Sequence, residues 1–211
     1  MNLLEQVYTM PMNTNDLTVS TPPGGAVIEG PVPADKLSTM VMCSEMNNFR
    51  PSNTQLQSLV RITKLPRGRV YIARLNQTII GYVTFHEPDD DCPWGEHGKL
   101  IEMGGIEVAR QWRCCQTATA LLEYIFCSNY WESYIVIGLA CCRHWDLQGN
   151  NLTIWEYRKM LDKLVRQVNF TPGFTTMYDI LEHPANSLIA RCGIKVNRHD
   201  WELFNQLASY F

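Results

Sequence analysis

The sequence lacks the features that mark several classes of protein. No segment reaches the roughly 18 uninterrupted apolar residues that a membrane-spanning helix needs. Residues 1–5 carry no basic segment that leads into a long apolar run, so no secretion signal is expected. With 18 Lys and Arg against 21 Asp and Glu, the net charge is −3, and the basic excess typical of nucleic-acid binders is missing. We therefore expect a cytoplasmic protein with neither membrane nor nucleic acid as a partner.

Charged residues are also sparse, whereas apolar residues are plentiful. Only 18% of the 211 residues are charged, against about 25% in an average soluble domain. The hydrophobic fraction is 45%, which is enough for a sizeable core in one large domain or two small ones. Disorder over a large part of the chain is therefore not expected.

The eight cysteines lack the spacing of a metal site. Two pairs are adjacent, at 114–115 and 141–142, and neither has the C-x-x-C spacing with which two thiolates bind one metal. His144 lies near the second pair and leaves a zinc site as an alternative, but the spacing favours small buried side chains. We predict no metal and, in a cytoplasm, reduced thiols.

The N-terminal residues differ from the rest of the chain. Residues 1 to about 24 are polar and irregular, and they end in Pro22-Pro23-Gly24-Gly25. Such a segment is typical of a flexible arm. We divide the chain into an arm at 1–25 and a single domain at 26–211.

The domain alternates between strand and helix patterns. Strands are predicted at 26–30, 69–74, 78–86, 100–109, 134–140 and 174–180. Helices are predicted from residue 33, from 52 with a Ser52-x-x-Gln55 capping box, at 117–130, from 153 to about 167 with a second capping box, and from 186 to 193, and the last fifteen residues have an amphipathic pattern. This order predicts an α/β fold of the α+β type, with a mixed central sheet flanked by helices.

The stretch 100–122 carries the clearest chemical pattern. Gly104-Gly105 within a strand pattern predicts a bulge or a close backbone approach. The strand ends near Val108, a loop contains Arg113, and a helix begins near Thr117. Such a turn directs unpaired backbone N–H groups and the positive end of a helix dipole at one spot, which suits a pyrophosphate.

The same stretch resembles the acetyl-CoA-binding element of the GNAT superfamily. That element is a strand ending in Val, then Arg-Gly-x-Gly-x-Gly or Ala, then a helix. Arg113 and Ala118 match this pattern, whereas Cys114 and Gln116 stand where glycines are expected. Because glycine adopts a positive φ without strain, the two replacements could weaken cofactor binding. Alternatively, the Gln116 side chain could donate a hydrogen bond to phosphate.

Further segments resemble the AcuA-like acetyltransferases of acetoin utilisation. The resemblance spans roughly residues 26–195. The matching segments are IEGPV (28–32), FRP (49–51), GYVT (81–84), IEVA (106–109), HWDL (144–147), WEYRK (155–159), HPAN (183–186) and ARCG (190–193).

This resemblance implies a fold, a reaction and a partner. The fold would be a GNAT-like mixed sheet that is splayed to hold acetyl-CoA. The reaction would transfer an acetyl group from acetyl-CoA, which is a substrate, to a lysine of acetyl-CoA synthetase, and so inactivate that enzyme. The residues implied in cofactor binding are Ile106, Val108, Arg113, Cys114, Cys115, Gln116, Thr117 and Ala118.

The resemblance also implies catalytic residues. A protonated lysine must lose a proton before it attacks the thioester, and a nearby carboxylate can serve as general base. Glu102 and Glu107 lie in the strand beside the loop, and Glu102 better matches the position of the superfamily's catalytic glutamate. Glu102 could instead be a solvent-facing strand residue, and Glu107 could bind the loop or an arginine. Tyr157 is the counterpart of the tyrosine that protonates the CoA thiolate, but it could simply pack its ring in the core.

Several alternatives remain open. The segments His144-Trp145-Asp146 and 183–186 could line the channel for the acceptor or cap helices, with Asn186 as one such cap. The protein could acetylate a small amine in a closed pocket rather than a protein lysine in an open cleft. It could also be a weakly active module that senses CoA or docks on a partner, because a fold does not guarantee its usual activity.

Overall fold

The computed structural model describes residues 17–21, 24–89, 92, 94–95 and 97–209. Most of the predicted arm at 1–25 lies outside these residues. Within it, Leu17–Thr21 forms a strand that pairs with the next strand of the chain. The division into an arm and one domain stays a prediction.

The described residues form nine strands and seven α-helices. The strands are β1 (Leu17–Thr21), β2 (Gly24–Glu29), β3 (Val41–Met42), β4 (Arg69–Leu75), β5 (Thr78–His86), β6 (Leu100–Val108), β7 (Ile135–Ala140), β8 (Thr171–Gly173) and β9 (Ser187–Cys192). The helices are α1 (Ala34–Ser38), α2 (Ser52–Ile62), α3 (Thr117–Phe126), α4 (Leu147–Asn150), α5 (Ile154–Arg166), α6 (Tyr178–Leu181) and α7 (Arg198–Ala208).

The strands form one mixed sheet in the order β1-β2-β4-β5-β6-β7-β9-β8, with β3 added beside β5. Most neighbours are antiparallel, whereas β6 and β7 run parallel and are joined through α3. A parallel pair needs such a crossover connection. The predicted mixed α/β architecture with flanking helices is confirmed.

The sheet opens between β6 and β7. These strands pair only from Leu100 opposite Ile135 to Glu102 opposite Ile137. Beyond that point β6 continues to Val108 alongside β5, and β7 continues to Ala140 alongside β9. The sheet is therefore splayed, as the resemblance implied, and the backbone of the last residues of β6 has no partner strand on the β7 side.

A bulge in β6 lies directly beyond the last β6–β7 pair. The register between β5 and β6 shifts there, so that Gly104 has no opposite residue. A Cβ atom at Gly104 would lie 2.6 Å from Nε2 of His86, and therefore only glycine fits without displacing that ring. The distortion predicted from the paired glycines is confirmed.

Both faces of the sheet carry packed cores. On the α3 face, Phe85 and Trp131 pack with ring centroids 4.4 Å apart, and Phe126 lies against both. On the other face, α7 places Phe204 against Trp94, with ring centroids 5.8 Å apart. Both clusters also include residues of β6 and β7, namely Ile101 and Val136 in the first and Leu100, Ile135 and Ile137 in the second.

Two predictions for the C-terminal third are wrong. The expected strand at 174–180 is replaced by β8 and the short helix α6. The expected helix from 186 to 193 is instead β9, which pairs with β7 on one side and β8 on the other. Its first five residues are buried, and long-range pairing of this kind overrides local propensity.

Two of the predicted helix caps are also wrong. The Asn186 side chain accepts a hydrogen bond from the Cys142 N–H (2.8 Å) and donates one to the Asp179 carbonyl (2.7 Å), so it ties two loops together. Helix α2 begins after Pro51 without a side-chain cap. The capping box of α5, made by Thr153 and Glu156, is confirmed.

Candidate active site

A cleft of about 650 Å³ opens where β6 and β7 diverge. One wall is the end of β6 with the following loop and the first turn of α3, and the other is formed by α4, α5 and the residue before α4. Its volume is in the range of ligand-binding pockets, about 300–1,000 Å³. The predicted residues on its walls are Ile106, Glu107, Val108, Arg113, Cys114, Gln116, Thr117, Ala118 and Tyr157.

The loop between β6 and α3 has the backbone shape that glycine normally provides. A single 3-10 turn, Arg110–Trp112, follows β6, and the buried Trp112 accepts a hydrogen bond from the Thr117 hydroxyl (3.1 Å). Cys114 and Gln116 both have φ of 61°, in the left-handed region. That conformation costs a non-glycine residue about 1–2 kcal/mol. The loop therefore keeps a glycine-type backbone without glycine.

The N-terminus of α3 is open toward the cleft. Its N-cap residue, Gln116, makes no side-chain cap, whereas α5 and α7 are capped by Thr153 and Asn197. The first N–H groups of a helix have no intrahelical partner, and the helix dipole favours an anion beside them. This end of the cleft thus has the chemistry that binds a pyrophosphate, and the residues fit that group.

Two arginines of the loop meet one carboxylate from the opposite wall. Arg113 donates from Nη1 to Asp146 Oδ2 (2.7 Å) and from Nε to the Val108 carbonyl (2.9 Å). Arg110 donates to both oxygens of Asp146, at 3.0 and 3.2 Å. Burial alone would raise the pKa of Asp146, but the hydrogen bonds from Arg110 and Arg113 lower it to about 2.

Glu107 is buried and fully engaged with neighbouring elements. Its Oε1 accepts the Asn48 N–H (3.0 Å), and its Oε2 accepts the Tyr82 hydroxyl (2.8 Å). Burial and the adjacent carboxylate raise the pKa of Tyr82, which therefore stays protonated as a donor. These partners differ from the loop or arginine contact that the sequence left open.

Glu102 lies at the point where the sheet opens. It is half-buried in β6, opposite His86 of β5 and Ile137 of β7. Burial raises the pKa of its carboxyl, and Asp89 adds to the rise, while His86 opposes it. Its side chain is not on the wall of the cleft, but the neighbouring Met103 and Gly104 line a second cavity.

The second cavity, of about 100 Å³, lies deeper in the gap between β6 and β7. It is lined by the bulge of β6, by the end of β7 and by the aromatic residues Phe49 and Trp145. It shares four wall residues with the larger cleft, namely Asn48, Ile106, Tyr157 and Leu161. The two cavities therefore meet beside Tyr157.

Tyr157 projects from α5 into this junction. Its ring stacks on Trp145, with ring centroids 4.9 Å apart and 13° between the planes. Burial raises the pKa of its hydroxyl, with Asp146 and Glu107 adding to the rise and Arg113 opposing it. The hydroxyl is therefore a protonated group at neutral pH, and the ring lines both cavities.

The structure assembles most of the predicted site and adds residues that sequence patterns missed. Two predicted residues do not line the cleft: Cys115, which is half-buried, and Glu102. Asp146 caps α4 by accepting the Gly149 N–H (2.9 Å), a role compatible with its place in the chain. The contacts of Asp146 with its two arginine partners, and those of Asn48, join residues that are far apart in the sequence. No local sequence pattern therefore predicts them.

Two further findings concern metals and membranes. Within the described ranges, no three His, Cys, Asp or Glu side chains are grouped so that they could hold a metal ion. No helix in the same part of the chain combines the length and apolarity needed to cross a membrane.

Comparison with known proteins identifies one family. The Acetyltransferase (GNAT) family model matches residues 39–128, which include β6, the loop and α3. Acetoin utilization protein AcuA of Bacillus licheniformis is 39% identical over 191 residues, which cover 90% of this chain and 91% of that protein. AcuA of Bacillus subtilis is 38% identical over 194 residues, covering 91% of this chain and 92% of the relative.

Solved structures agree as well. The crystal structure of an acetoin utilization protein from Exiguobacterium sibiricum has a TM-score of 0.89 and 36% identity, and the match covers 92% of this chain and 93% of that one. The GNAT domain of S. lividans PAT shares the fold, with a TM-score of 0.51 and 14% identity over 83% of this chain and 95% of that one.

The fold is that of acyltransferases of the GNAT family. The chain belongs to the GNAT family of acetyltransferases, within its AcuA-like acetoin utilization group. It is an acetyl-CoA-dependent N-acetyltransferase.

Proposed function

We propose that the protein transfers an acetyl group from acetyl-CoA to a lysine of acetyl-CoA synthetase and thereby inactivates that enzyme. The observation that carries the proposal is the similarity to AcuA proteins over nine tenths of the chain. The second cavity supports a protein acceptor, because about 100 Å³ is too small for a drug-sized amine. A lysine side chain reaching in from a partner surface fits better.

Acetyl-CoA binding is assigned to the cleft wall formed by β6 and α3. The N–H groups at the start of α3, together with Arg113, would hold the pyrophosphate. Ile106 and Val108 would line the pantetheine arm, because the β6 backbone beyond Gly104 has no partner strand on the β7 side. A free N–H there is available to the thioester oxygen, where negative charge develops during transfer.

Glu102 is the proposed general base. Its raised pKa makes it a better proton acceptor near neutral pH than an ordinary carboxylate. It would take a proton from the lysine ammonium, directly or through water, so that the neutral amine attacks the thioester carbon. Because its side chain lines neither cavity, the proposed route is a water relay between the carboxylate and the second cavity.

Glu107 and Tyr157 have separate proposed roles. Glu107 holds the Asn48 backbone and the Tyr82 hydroxyl, and so it shapes the wall where the two cavities meet. Tyr157 keeps its proton at neutral pH and lies at that junction, so it is the proposed donor to the departing CoA thiolate.

The experiment is to incubate acetyl-CoA synthetase with the protein and acetyl-CoA, and then to map acetylated lysines by peptide mass spectrometry. We expect acetylation at one lysine with parallel loss of synthetase activity. The Glu102→Gln variant should lose the acetylation, whereas Glu202→Gln, an exposed carboxylate on α7, should retain it. Acetyl-CoA binding without any acetylated lysine would contradict the proposal and favour a small-amine acetyltransferase or a docking module.

A further inference from the structure

We propose that Asp146 is a positioning residue for acetyl-CoA binding, because it ties Arg110 and Arg113 to the opposite wall of the cleft and so holds the strained loop at 113–116 in its anion-binding shape. The proposal rests on the cofactor role assigned to that loop. It does not depend on the acceptor.

The loop needs an external restraint. Cys114 and Gln116 both occupy the left-handed region with φ of 61°. Non-glycine residues persist in such conformations only where the surrounding structure over-determines them. A loop with glycine at these positions would have no such requirement.

The contacts of Arg110 and Arg113 supply that restraint at the two ends of the 3-10 turn that precedes Cys114. Arg110 begins the 3-10 turn, and Arg113 directly precedes Cys114. Arg113 is fixed to the end of β6 through the Val108 carbonyl at 2.9 Å and to Asp146 at 2.7 Å. The same carboxylate accepts two hydrogen bonds from Arg110. Asp146 therefore joins the loop to the far wall through both arginines.

Asp146 is itself held rigidly. Its Oδ1 accepts the Gly149 N–H at 2.9 Å, and its side chain is only 10% exposed. A Cβ atom at Gly149 would lie 2.1 Å from Asp146 Oδ2, so the carboxylate packs directly on the α4 backbone. With its pKa lowered to about 2, it is ionised throughout the physiological range.

A carboxylate on the wall of an anion site could instead weaken anion binding. It could compete with phosphate for the arginines, and its removal would then tighten CoA binding. Arg113, however, uses only Nε and Nη1 in its contacts with the described residues, so its Nη2 stays available on a residue that lines the cleft. The geometry therefore favours support over competition, and the two effects have opposite signs.

The test is calorimetric titration of CoA into the wild type and into Asp146→Asn. Asparagine can retain the helix cap by keeping Oδ1 as the acceptor for the Gly149 N–H, but its Nδ2 replaces the oxygen that accepts from Arg110 Nε and Arg113 Nη1. We expect roughly tenfold weaker CoA binding, as if the competent loop were populated about a tenth of the time. Asp162→Asn is the matched control, because Asp162 pairs with Arg158 on α5 away from the cleft wall. This control should bind CoA like the wild type.

The decisive comparison uses the double variant Cys114→Gly, Gln116→Gly. Glycine removes the need for restraint, so adding Asp146→Asn to this background should weaken CoA binding by less than about threefold. Tighter or unchanged binding by the single variant would overturn the proposal. An equal loss in both backgrounds would also overturn it, because Asp146 would then act by another route.

Two further points keep the test decisive. If Asp146→Asn does not fold, Arg110→Gln removes one tie at a half-exposed side chain and should show the same rescue by the glycine pair. Absence of CoA binding by the wild type would overturn both the cofactor role and this proposal. CoA binding without lysine acetylation would contradict only the proposed function.

Discussion

Replacing Glu107 with alanine should destabilise the protein by leaving two donors unpaired. The Asn48 N–H and the Tyr82 hydroxyl each lose their acceptor, at 3.0 and 2.8 Å in the native structure. Glu107 is only 5% exposed, so water replaces it poorly. At about 1–3 kcal/mol for each of the two orphaned donors, we expect a loss of roughly 2–6 kcal/mol in the free energy of unfolding.

The Tyr82→Phe variant isolates one of these two bonds. Alone, it removes a donor from a buried carboxylate and should cost about 1–3 kcal/mol. In the double variant Glu107→Ala, Tyr82→Phe, no tyrosine hydroxyl is left to be orphaned. The combined loss should therefore be smaller than the sum of the two single losses by about 1–2 kcal/mol.

Urea unfolding followed by tryptophan fluorescence measures all three variants. The free energies of unfolding should show the coupling, with the m-value unchanged if the unfolded state is not altered. Additivity of the two single losses within about 0.5 kcal/mol would refute the reasoning. It would mean that the Tyr82–Glu107 hydrogen bond contributes nothing specific to this wall of the cleft.

Three further predictions concern the bulge and the two perturbed carboxylates. Gly104→Ala should lower the acetylation rate by about tenfold, because the added Cβ would lie 2.6 Å from Nε2 of His86. Gly98→Ala is the control and should leave steady-state rates unchanged, because a Cβ there would have no atom within 4 Å. If Glu102 is the base, kcat/KM should fall as pH drops through its raised pKa, and a profile with its acidic limb at the pKa of an ordinary glutamate would contradict that role. Asp146 has a folded-state pKa lowered to about 2, against about 3.9 when unfolded. Its stabilisation is therefore present above pH ~4 and lost as pH falls toward ~2. Acid titrations of unfolding should show a loss of about 1–2 kcal/mol across that window, after allowance for solvent screening, which Asp146→Asn should lack.

Local patterns predicted the elements whose signals are local. The hairpin of β4 and β5 is confirmed, and the helix of α5 begins at the Thr153–Glu156 capping box. The two adjacent glycines predicted the β6 bulge, because a glycine within a strand is unfavourable unless the backbone geometry requires it. Of these elements, β6 forms part of one wall of the cleft and α5 forms part of the other.

Elements that depend on partners distant in the sequence could not be predicted from local patterns. Strand β9 has five buried residues out of six and lies between β7 and β8, and its pairing with β7 joins residues about 50 positions apart. Taken alone, its short apolar run is compatible with a helix. It forms a strand because it pairs with β7 and β8. The same limit applies to Asp146, because neither of its arginine partners is a sequence neighbour.

The phosphate loop shows what a family pattern can and cannot supply. The pattern located the loop and the start of α3, and it identified Cys114 and Gln116 as departures from glycine. It did not predict whether the backbone would keep the left-handed conformation, which both residues adopt with φ of 61°. That outcome depends on tertiary restraints, and sequence similarity does not report them.

Calorimetric titration of acetyl-CoA into the purified wild-type protein tests the central claim most directly. The glycine-type backbone of the loop, the uncapped start of α3 and Arg113 together predict saturable binding in the micromolar range, which corresponds to about −8 kcal/mol at 1 μM. The affinity should fall as salt is added, because the bound phosphates are charged. Absence of detectable binding would contradict the assignment of the cleft as an acetyl-CoA site.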